Sequence, residues 1–268
     1  MIQFITMLKN IYLANNLDYQ RFNNKKLITF DSDGTIQLTK SKIDSEMIGL
    51  LDALAMKFKV NVISGTGIDY LKPNVLDLLK PNENITVSPT CGTRFVVLKD
   101  GQYVELYKES LSESEIKTIM EAFAYAIDKA KHNPSQIWGE LVENRETQVT
   151  FSALGQKAPS EAKLAFDPDL TKRKLIASYL REKISDDHFD IKIAGTTSVD
   201  ITRKGINKAY GVRKLAEYYK ITLDEILFVG DRLDEIGNDY PVAEIGVDSI
   251  WVKDYKETKE VISQLLKL

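Results

Sequence analysis

Two aspartates, Asp31 and Asp33, stand two residues apart in Asp31-Ser32-Asp33-Gly34-Thr35, directly after the apolar run 26–30. A carboxylate pair at that spacing, with glycine for a tight turn, can serve a metal ion and a reaction together, one group as nucleophile and the other as proton carrier. A calcium loop starting at Asp31 is excluded. It needs Gly at its sixth position and Glu at its twelfth, where this chain has Ile36 and Lys42. Ser64-Gly65 ends a second apolar run, 59–63, and offers a hydroxyl and backbone N–H groups to a phosphoryl oxygen. Lys208, in Lys204-Gly205-x-x-Lys208, opens a helix, and its ammonium can neutralise phosphoryl charge. Gly230-Asp231, followed by Gly237-Asn238-Asp239, ends another apolar run with three oxygen-bearing side chains. Such hard ligands suit Mg²⁺. Taken singly, each motif is also a plain polar turn, strand-to-helix turn, solvated helix charge or acidic loop. Their order along one chain is the informative feature.

The elements that must position them follow from periodicity. Short apolar runs at 26–30, 59–63, 85–88 and 226–229 read as strands. Helical patterns intervene at 45–57 and where Val212, Leu215, Ala216 and Tyr219 share a face. Strand–helix alternation predicts an α/β fold with a parallel sheet, whose ligand sites lie at the carboxyl ends of the strands. The rhythm changes after Pro89. Asp100-Gly101 between two apolar runs signals a hairpin over 94–98 and 102–106. Ser112 and Glu115 have capping-box spacing before a helix with Ile116, Ile119, Met120, Phe123 and Ile127 on one face. Strands are expected at 138–142, 147–153, 190–194 and 198–202, with a helix carrying Ile176, Tyr179, Leu180 and Ile184 between the second and third. The expected organisation is an α+β insert over 91–196 within a core of 1–90 and 197–268. Residues 1–24 read as a leading helix or arm without evident chemistry.

Composition narrows the function classes. Lys plus Arg number 36 against 39 Asp plus Glu, so the chain lacks the basic excess of a dedicated nucleic-acid binder. With 43% apolar and 28% charged residues it is not disordered throughout. No run approaches the roughly 18 apolar residues of a membrane span. The lone Cys91 excludes an intramolecular disulfide and a cysteine zinc site. The apolar start at 1–8 is short, is followed by Lys9 and Asn10, and lacks a signal-peptide cleavage pattern. A cytoplasmic enzyme without nucleic-acid or membrane partners is expected. His132 and His188 lie in polar stretches and read as surface residues, and Trp251 reads as packing.

The four motifs in this order resemble those of the haloacid-dehalogenase-like phosphotransferase superfamily, from about residue 26 to the end of the chain. The insert resembles the C2-type cap of its subfamily IIB, and most of all that of the eukaryotic phosphomannomutase family. Glu143-Asn144-Arg145, the stretch 149–155, the run 195–200 and the spacing from Gly230-Asp231 to Gly237-Asn238-Asp239 carry that likeness. The resemblance implies a Rossmann-like core with a cap that closes over the site, and an aspartyl-phosphate intermediate. Asp31 would be the nucleophile and Asp33 the acid and base. Ser64, Gly65 and Lys208 would bind phosphate. The Asp31 carboxylate, the Asp33 carbonyl and Asp231 would hold Mg²⁺, with Asn238 and Asp239 behind the metal or orienting Lys208. It also implies a small phosphorylated substrate and the option of a homodimer through the cap.

A mutase must hold a second phosphate, which that family does with arginines and a Ser-x-Asp. Arg145 and Ser198-Val199-Asp200 match the pattern, but Gln156 and Lys163 stand where arginines are expected, and Lys40 replaces a core arginine. Lysine lacks the planar bidentate fork of arginine, and glutamine lacks its charge. The balance favours a Mg²⁺-dependent sugar-phosphate phosphatase, with a hexose phosphomutase as the alternative and a non-catalytic sugar-phosphate binder as a third reading.

Overall fold

A computed structural model describes residues 9–268. Its first elements are strands and helices in near alternation: Ile11–Leu13 (β1), Leu27–Asp31 (β2), Ser45–Leu54 (α1), Lys59–Ile63 (β3), Ile68–Asn74 (α2) and Ile85–Ser88 (β4). A hairpin follows, Arg94–Lys99 (β5) and Gln102–Lys108 (β6). Next come Glu113–Lys129 (α3), Val142–Asn144 (β7), Val149–Ser152 (β8), Ser160–Phe166 (α4), Thr171–Arg181 (α5), Phe189–Ala194 (β9) and Ser198–Arg203 (β10). The chain closes with Lys208–Tyr219 (α6), Ile226–Gly230 (β11), Tyr240–Glu244 (α7), Asp248–Trp251 (β12) and Tyr255–Leu265 (α8).

Two compact units result. The core unit comprises the described residues up to Lys108 together with Asn207–Leu268, and the insert unit is Glu109–Ile206. The core sheet runs β1-β12-β11-β2-β3-β4-β5-β6. It is parallel from β1 to β4 and antiparallel through the hairpin. β2 is buried at every position because helices cover both faces. Ile28 and Phe30 point to one side, toward Met47 and Leu51 of α1 and Val261 of α8. Leu27 points to the other, toward Val212 and Leu215 of α6. From β2 the chain winds outward to β3 and β4, then returns to β11 on the opposite flank. The reversal opens a crevice at the carboxyl ends of β2 and β11.

The insert boundary differs from the predicted 91–196 at both ends. Asp100 (φ 52°) and Gly101 (φ 76°) form the expected tight turn. The hairpin they close, however, extends the core sheet, because Thr86 of β4 pairs with Val97 and because Phe95 and Val97 are buried with α6. At the far end, β10 belongs to the insert, as a central strand of the sheet β7-β8-β10-β9, so Ser198 and Asp200 are insert residues. The strand predicted at 138–142 starts later, at Val142. Ser112 makes the full capping box at the start of α3, but Met120 is exposed rather than on its buried face. The N-terminal arm contains β1, which adds a parallel edge strand beside β12. The part of that expectation falling on residues 1–8, and the signal-peptide reading, lie outside the described residues.

Away from the crevice, at the opposite ends of the strands, a cavity of about 460 Å³ is lined by Lys25, Lys26, Lys57, Lys59 and Lys220 among others. Helices α1, α6 and α8 end near these lysines in sequence or through hydrogen bonds, and Lys57 donates to the carbonyl of Leu266, the C-cap of α8. Cations at helix C-termini offset the partial negative charge of the last carbonyls.

Candidate active site

Asp31 is the last residue of β2 and is 5% exposed. Lys208, the first residue of α6, is fully buried, and its Nζ lies 2.5 Å from both Asp31 Oδ1 and Asp239 Oδ1. Asn207 fixes the helix start by accepting a bond from Tyr210 N at 3.0 Å. Asp239 Oδ2 in turn accepts from the Arg232 backbone N–H at 3.0 Å. Asp239 is thus bonded to both Lys208 and the backbone after β11. Asn238, its neighbour, is exposed.

Asp231 follows β11. Thr35 Oγ1 donates to its Oδ1 at 3.1 Å, and Trp251 Nε1 donates to its carbonyl at 2.9 Å. The approach of Asp231 to the Asp31 loop depends on Gly34, whose φ is 93° and whose added Cβ would lie 2.5 Å from Asp231 Oδ2. At Gly230 a Cβ would lie 2.4 Å from Asp239 Oδ2. Both glycines are thus required by the packing of carboxylates around the crevice.

Carboxylate oxygens of Asp31, Asp231 and Asp239 lie within 4.8 Å of one another. Burial pushes Asp31 well above the usual carboxylate range; Lys208 opposes the rise, while Asp239 and Asp231 add to it. Burial and then Asp239 also raise Asp231. For Lys208, burial works against the charge, but Asp239 and Asp31 outweigh it, and its pKa is raised. Ionised together, the three carboxylates would exceed the one ammonium by two negative charges, which a divalent cation would neutralise. The donors are all hard oxygens, so Mg²⁺ fits.

Ser64 sits one residue beyond the Asp31–Ile63 pair, at the same edge of the sheet. Its Oγ accepts from Thr66 N at 3.1 Å and lies 2.9 Å from Thr66 Oγ1. Gly65 follows in open space, since a Cβ there would meet nothing within 4 Å. The structure thus gathers Asp31, Ser64, Lys208, Asp231 and Asp239 at one end of the sheet. Asp33 faces the loop behind it: its Oδ1 accepts from Lys40 N at 2.8 Å, and Lys40 Nζ lies 3.7 Å from its Oδ2. Lys40 is therefore beside the second aspartate.

In the insert, Val149 and Phe151 of β8 and Val199 and Ile201 of β10 are buried against α3 and α5. Strand alternation puts Ser198 and Asp200 on the other face, opposite Ser152 and Thr150 respectively. Arg145 Nε is 2.5 Å from Glu143 Oε2. Lys163 Nζ donates to the Gln156 carbonyl at 2.9 Å, so those two positions meet. His132 is half-buried rather than on the surface: its Nε2 lies 2.7 Å from the Ala153 carbonyl, and it packs edge-on against Phe151 and Phe166.

The sequence gives Thr35 and Tyr70 no role of their own and marks Trp251 only as packing, whereas its indole donates to the Asp231 carbonyl. Thr35 lies inside the first motif and was legible there. Tyr70 and Trp251 reach the site only through tertiary contacts, 37 residues from Asp33 and 20 residues from Asp231.

A family profile described as haloacid dehalogenase-like hydrolase matches residues 28–241. Among similar curated proteins, a phosphomannomutase of Encephalitozoon cuniculi is 24% identical, covering 91% of this chain and 95% of its own. One of Spinacia oleracea is 27% identical, with coverage of 80% and 84%. Among solved structures, a Plasmodium falciparum IMP-nucleotidase mutant superposes with a TM-score of 0.68 at 15% identity, covering 91% of this chain and 69% of the other. An Aspergillus fumigatus trehalose-6-phosphate phosphatase superposes at 0.56 and 17% identity, with coverage of 94% and 98%. At such identities the superpositions establish the shared fold.

Proposed function

The chain belongs to the haloacid dehalogenase-like hydrolase family, and on that premise we propose that it is a Mg²⁺-dependent phosphatase of a sugar phosphate or similar small phosphorylated metabolite. The observation that carries this is the buried Asp31–Lys208–Asp239 chain with Asp231 beside it at the crevice. Asp31 attacks phosphorus, its carboxylate oxygen forming the new bond as the ester oxygen leaves. Asp33 gives that leaving oxygen a proton, then takes one from the water that attacks the aspartyl-phosphate and releases Asp31. Lys208 and the Ser64–Gly65 turn face the transferring phosphoryl group, where offsetting charge is most of the catalytic work. Mg²⁺, held by the carboxylates of Asp31 and Asp231 and the Asp33 carbonyl, would supply Lewis-acid neutralisation of that group. Asn238 and Asp239 stand behind these, Asp239 through Lys208.

A hexose phosphomutase is the second reading, favoured by the phosphomannomutase relatives and by Arg145, Ser198 and Asp200 in the insert. Gln156, Lys163 and Lys40 weigh against it, because a phosphate grip loses its bidentate bonds at each. Mannose and glucose 1-phosphates are assayed with Mg²⁺, with and without hexose 1,6-bisphosphate, quantifying free phosphate and hexose 6-phosphate together. Phosphate release without activator supports the phosphatase. Activator-dependent 6-phosphate with little free phosphate supports the mutase. Cytoplasmic residence is the compartment expected for a chain with a single cysteine. Pairing of two copies through the insert is tested by sedimentation.

A further inference from the structure

Between β4 and β5 the chain makes a turn that two of its residues disfavour. Thr90, Cys91 and Gly92 have φ of 47°, 57° and 85°, three left-handed residues in succession of which only glycine adopts that conformation freely. A β-branched threonine at positive φ is an outlier, and such strain persists only where surrounding contacts hold it. The contacts here lead to the crevice. Thr90 N donates to the Thr66 carbonyl at 3.0 Å, and Cys91 N donates to the Ser64 carbonyl at 2.8 Å. Both ends of the Ser64–Thr66 turn are thus tied to the left-handed segment. On another side the segment lies against α6. A Cβ on Gly92 would come 2.3 Å from Gly211 Cα, and one on Gly211 would come 2.6 Å from the Cys91 carbonyl oxygen and 2.6 Å from Ile63 Cδ1. Gly211 lies about one helical turn beyond Lys208. The segment is itself braced, because Thr93 Oγ1 donates to the Thr90 carbonyl at 2.8 Å and the Tyr107 hydroxyl donates to the Gly92 carbonyl at 3.0 Å.

We infer that Thr90–Gly92 is a positioning element that fixes the Ser64 turn and the first turn of α6 against each other, so that Ser64 and Lys208 meet the same phosphoryl group. The inference rests on the phosphoryl-binding roles proposed for those two residues. The Lys208 ammonium bonds to Asp31 and Asp239 and not to the Ser64 turn, so the spacing between the two is set through backbone. Consecutive helical residues of one hand direct successive N–H groups the same way, which lets two adjacent donors serve the two carbonyls of one turn. Changing the hand at Cys91 swings Gly92 and the Cys91 carbonyl relative to those donors, so the Ser64 turn and α6 can no longer both be met. At Gly92 and Gly211 one backbone rests directly on another, with no flexible side chain between them to absorb a shift.

The test measures orthovanadate binding to the full chain in Mg²⁺ by calorimetry, with p-nitrophenyl phosphate turnover and the thermal transition recorded alongside. Valine is close to cysteine in size, but its branched side chain disfavours positive φ, whereas asparagine accepts it. Cys91→Val is therefore expected to weaken orthovanadate about tenfold, and Cys91→Asn less than about twofold. Gly211→Ala, whose Cβ meets the Cys91 carbonyl oxygen, should match Cys91→Val, and either suffices should the other not fold. The half-saturating Mg²⁺ concentration should stay within about twofold in Cys91→Val, since the Asp31 and Asp231 carboxylates bond elsewhere. A change that only destabilises the fold lowers the transition without separating anion affinity from metal affinity. Unchanged orthovanadate affinity in Cys91→Val and Gly211→Ala overturns the positioning role and leaves the phosphatase reading standing. Equal losses in Cys91→Val and Cys91→Asn also overturn it, because the side chain and not the turn would then be decisive. A wild type that binds orthovanadate but hydrolyses no phosphate ester refutes the phosphatase reading, while the expected order among the variants still supports the positioning role. A wild type that binds no orthovanadate overturns both.

Discussion

Asp239→Asn is a sharp perturbation because it preserves shape and removes one charge. The buried Asp239 carboxylate accepts from two donors, Lys208 Nζ at 2.5 Å and Arg232 N at 3.0 Å. Asparagine has one acceptor oxygen and one NH₂, so it cannot accept from both through separate oxygens. Either Lys208 or Arg232 is left facing a donor. A charge-assisted bond contributes about 1.5–3 kcal/mol and a stranded buried donor costs about 1–3 kcal/mol, so destabilisation of about 3–5 kcal/mol is expected. The raised Asp31 and Asp231 are relieved of a neighbouring charge, which places the net effect toward the lower figure. At about 2–4 °C per kcal/mol, the core transition should fall by about 6–20 °C. Trp251 lies in the core and Trp138 in the insert, so Trp251 emission in a Trp138→Phe background follows the core unit alone. Turnover should drop at least about tenfold, since Lys208 loses the partner that aims it. A core transition moving by less than about 2 °C, with turnover within about twofold of wild type, would refute the orienting role of Asp239.

Three further outcomes follow from the same geometry. Asp31 and Asp231 have raised folded pKa values, so the folded chain holds more protons than the unfolded one between the ordinary carboxylate pKa and the raised values. Their contribution to stability is therefore fully present below about pH 4 and is lost as pH rises through the raised values. Mg²⁺ should then raise the core melting temperature more at pH 7.5 than at pH 5, by about 5 °C or more at saturating metal, and a shift independent of pH would sink the assignment. Gly34→Ala should increase the Mg²⁺ concentration needed for half-maximal activity about tenfold, because its Cβ drives Asp231 away and its φ of 93° disfavours a side chain; an unchanged metal dependence would show that Asp231 does not need that approach. In the insert, the Arg203 guanidinium at 2.7 Å holds Glu115 down at about 2. That depressed pKa contributes stability above the ordinary Glu value and loses it as pH falls toward about 2, so Arg203→Met should flatten the acid dependence of the Trp138 transition, with an effect at pH 7 of about 1 kcal/mol or less because the pair is partly exposed.

The aspartyl motif, the Ser64 turn, Lys208 and Asp231 were legible because each sits where a strand ends or a helix begins, and those boundaries are written in local patterns. Residues 59–63 and 85–88 are apolar runs bounded by turns, and they fold as strands over just those positions. Ser112 caps α3 through a box readable four residues at a time. The hairpin at 94–108 was legible as a hairpin from Asp100-Gly101, but the sheet it joins was not. A turn signal describes two strands and is silent about the third strand they pair with. Ser198 and Asp200 were placed on the wrong side of the insert boundary for the same reason, since nothing local to β10 distinguishes a core strand from an insert strand.

By itself, then, the sequence determined the chemistry available: which carboxylates, hydroxyl and ammonium lie at element ends, and in what order. Tertiary structure alone decided their pairing. Lys208 meets Asp31 across 177 residues and Asp239 across 31. Gly34 lets Asp231 come close. Such contacts are set by the parallel register of β2 with β3 and β11 and by helices covering both faces of that sheet. Register follows from burying every strand at once, a global condition that no local window of residues contains.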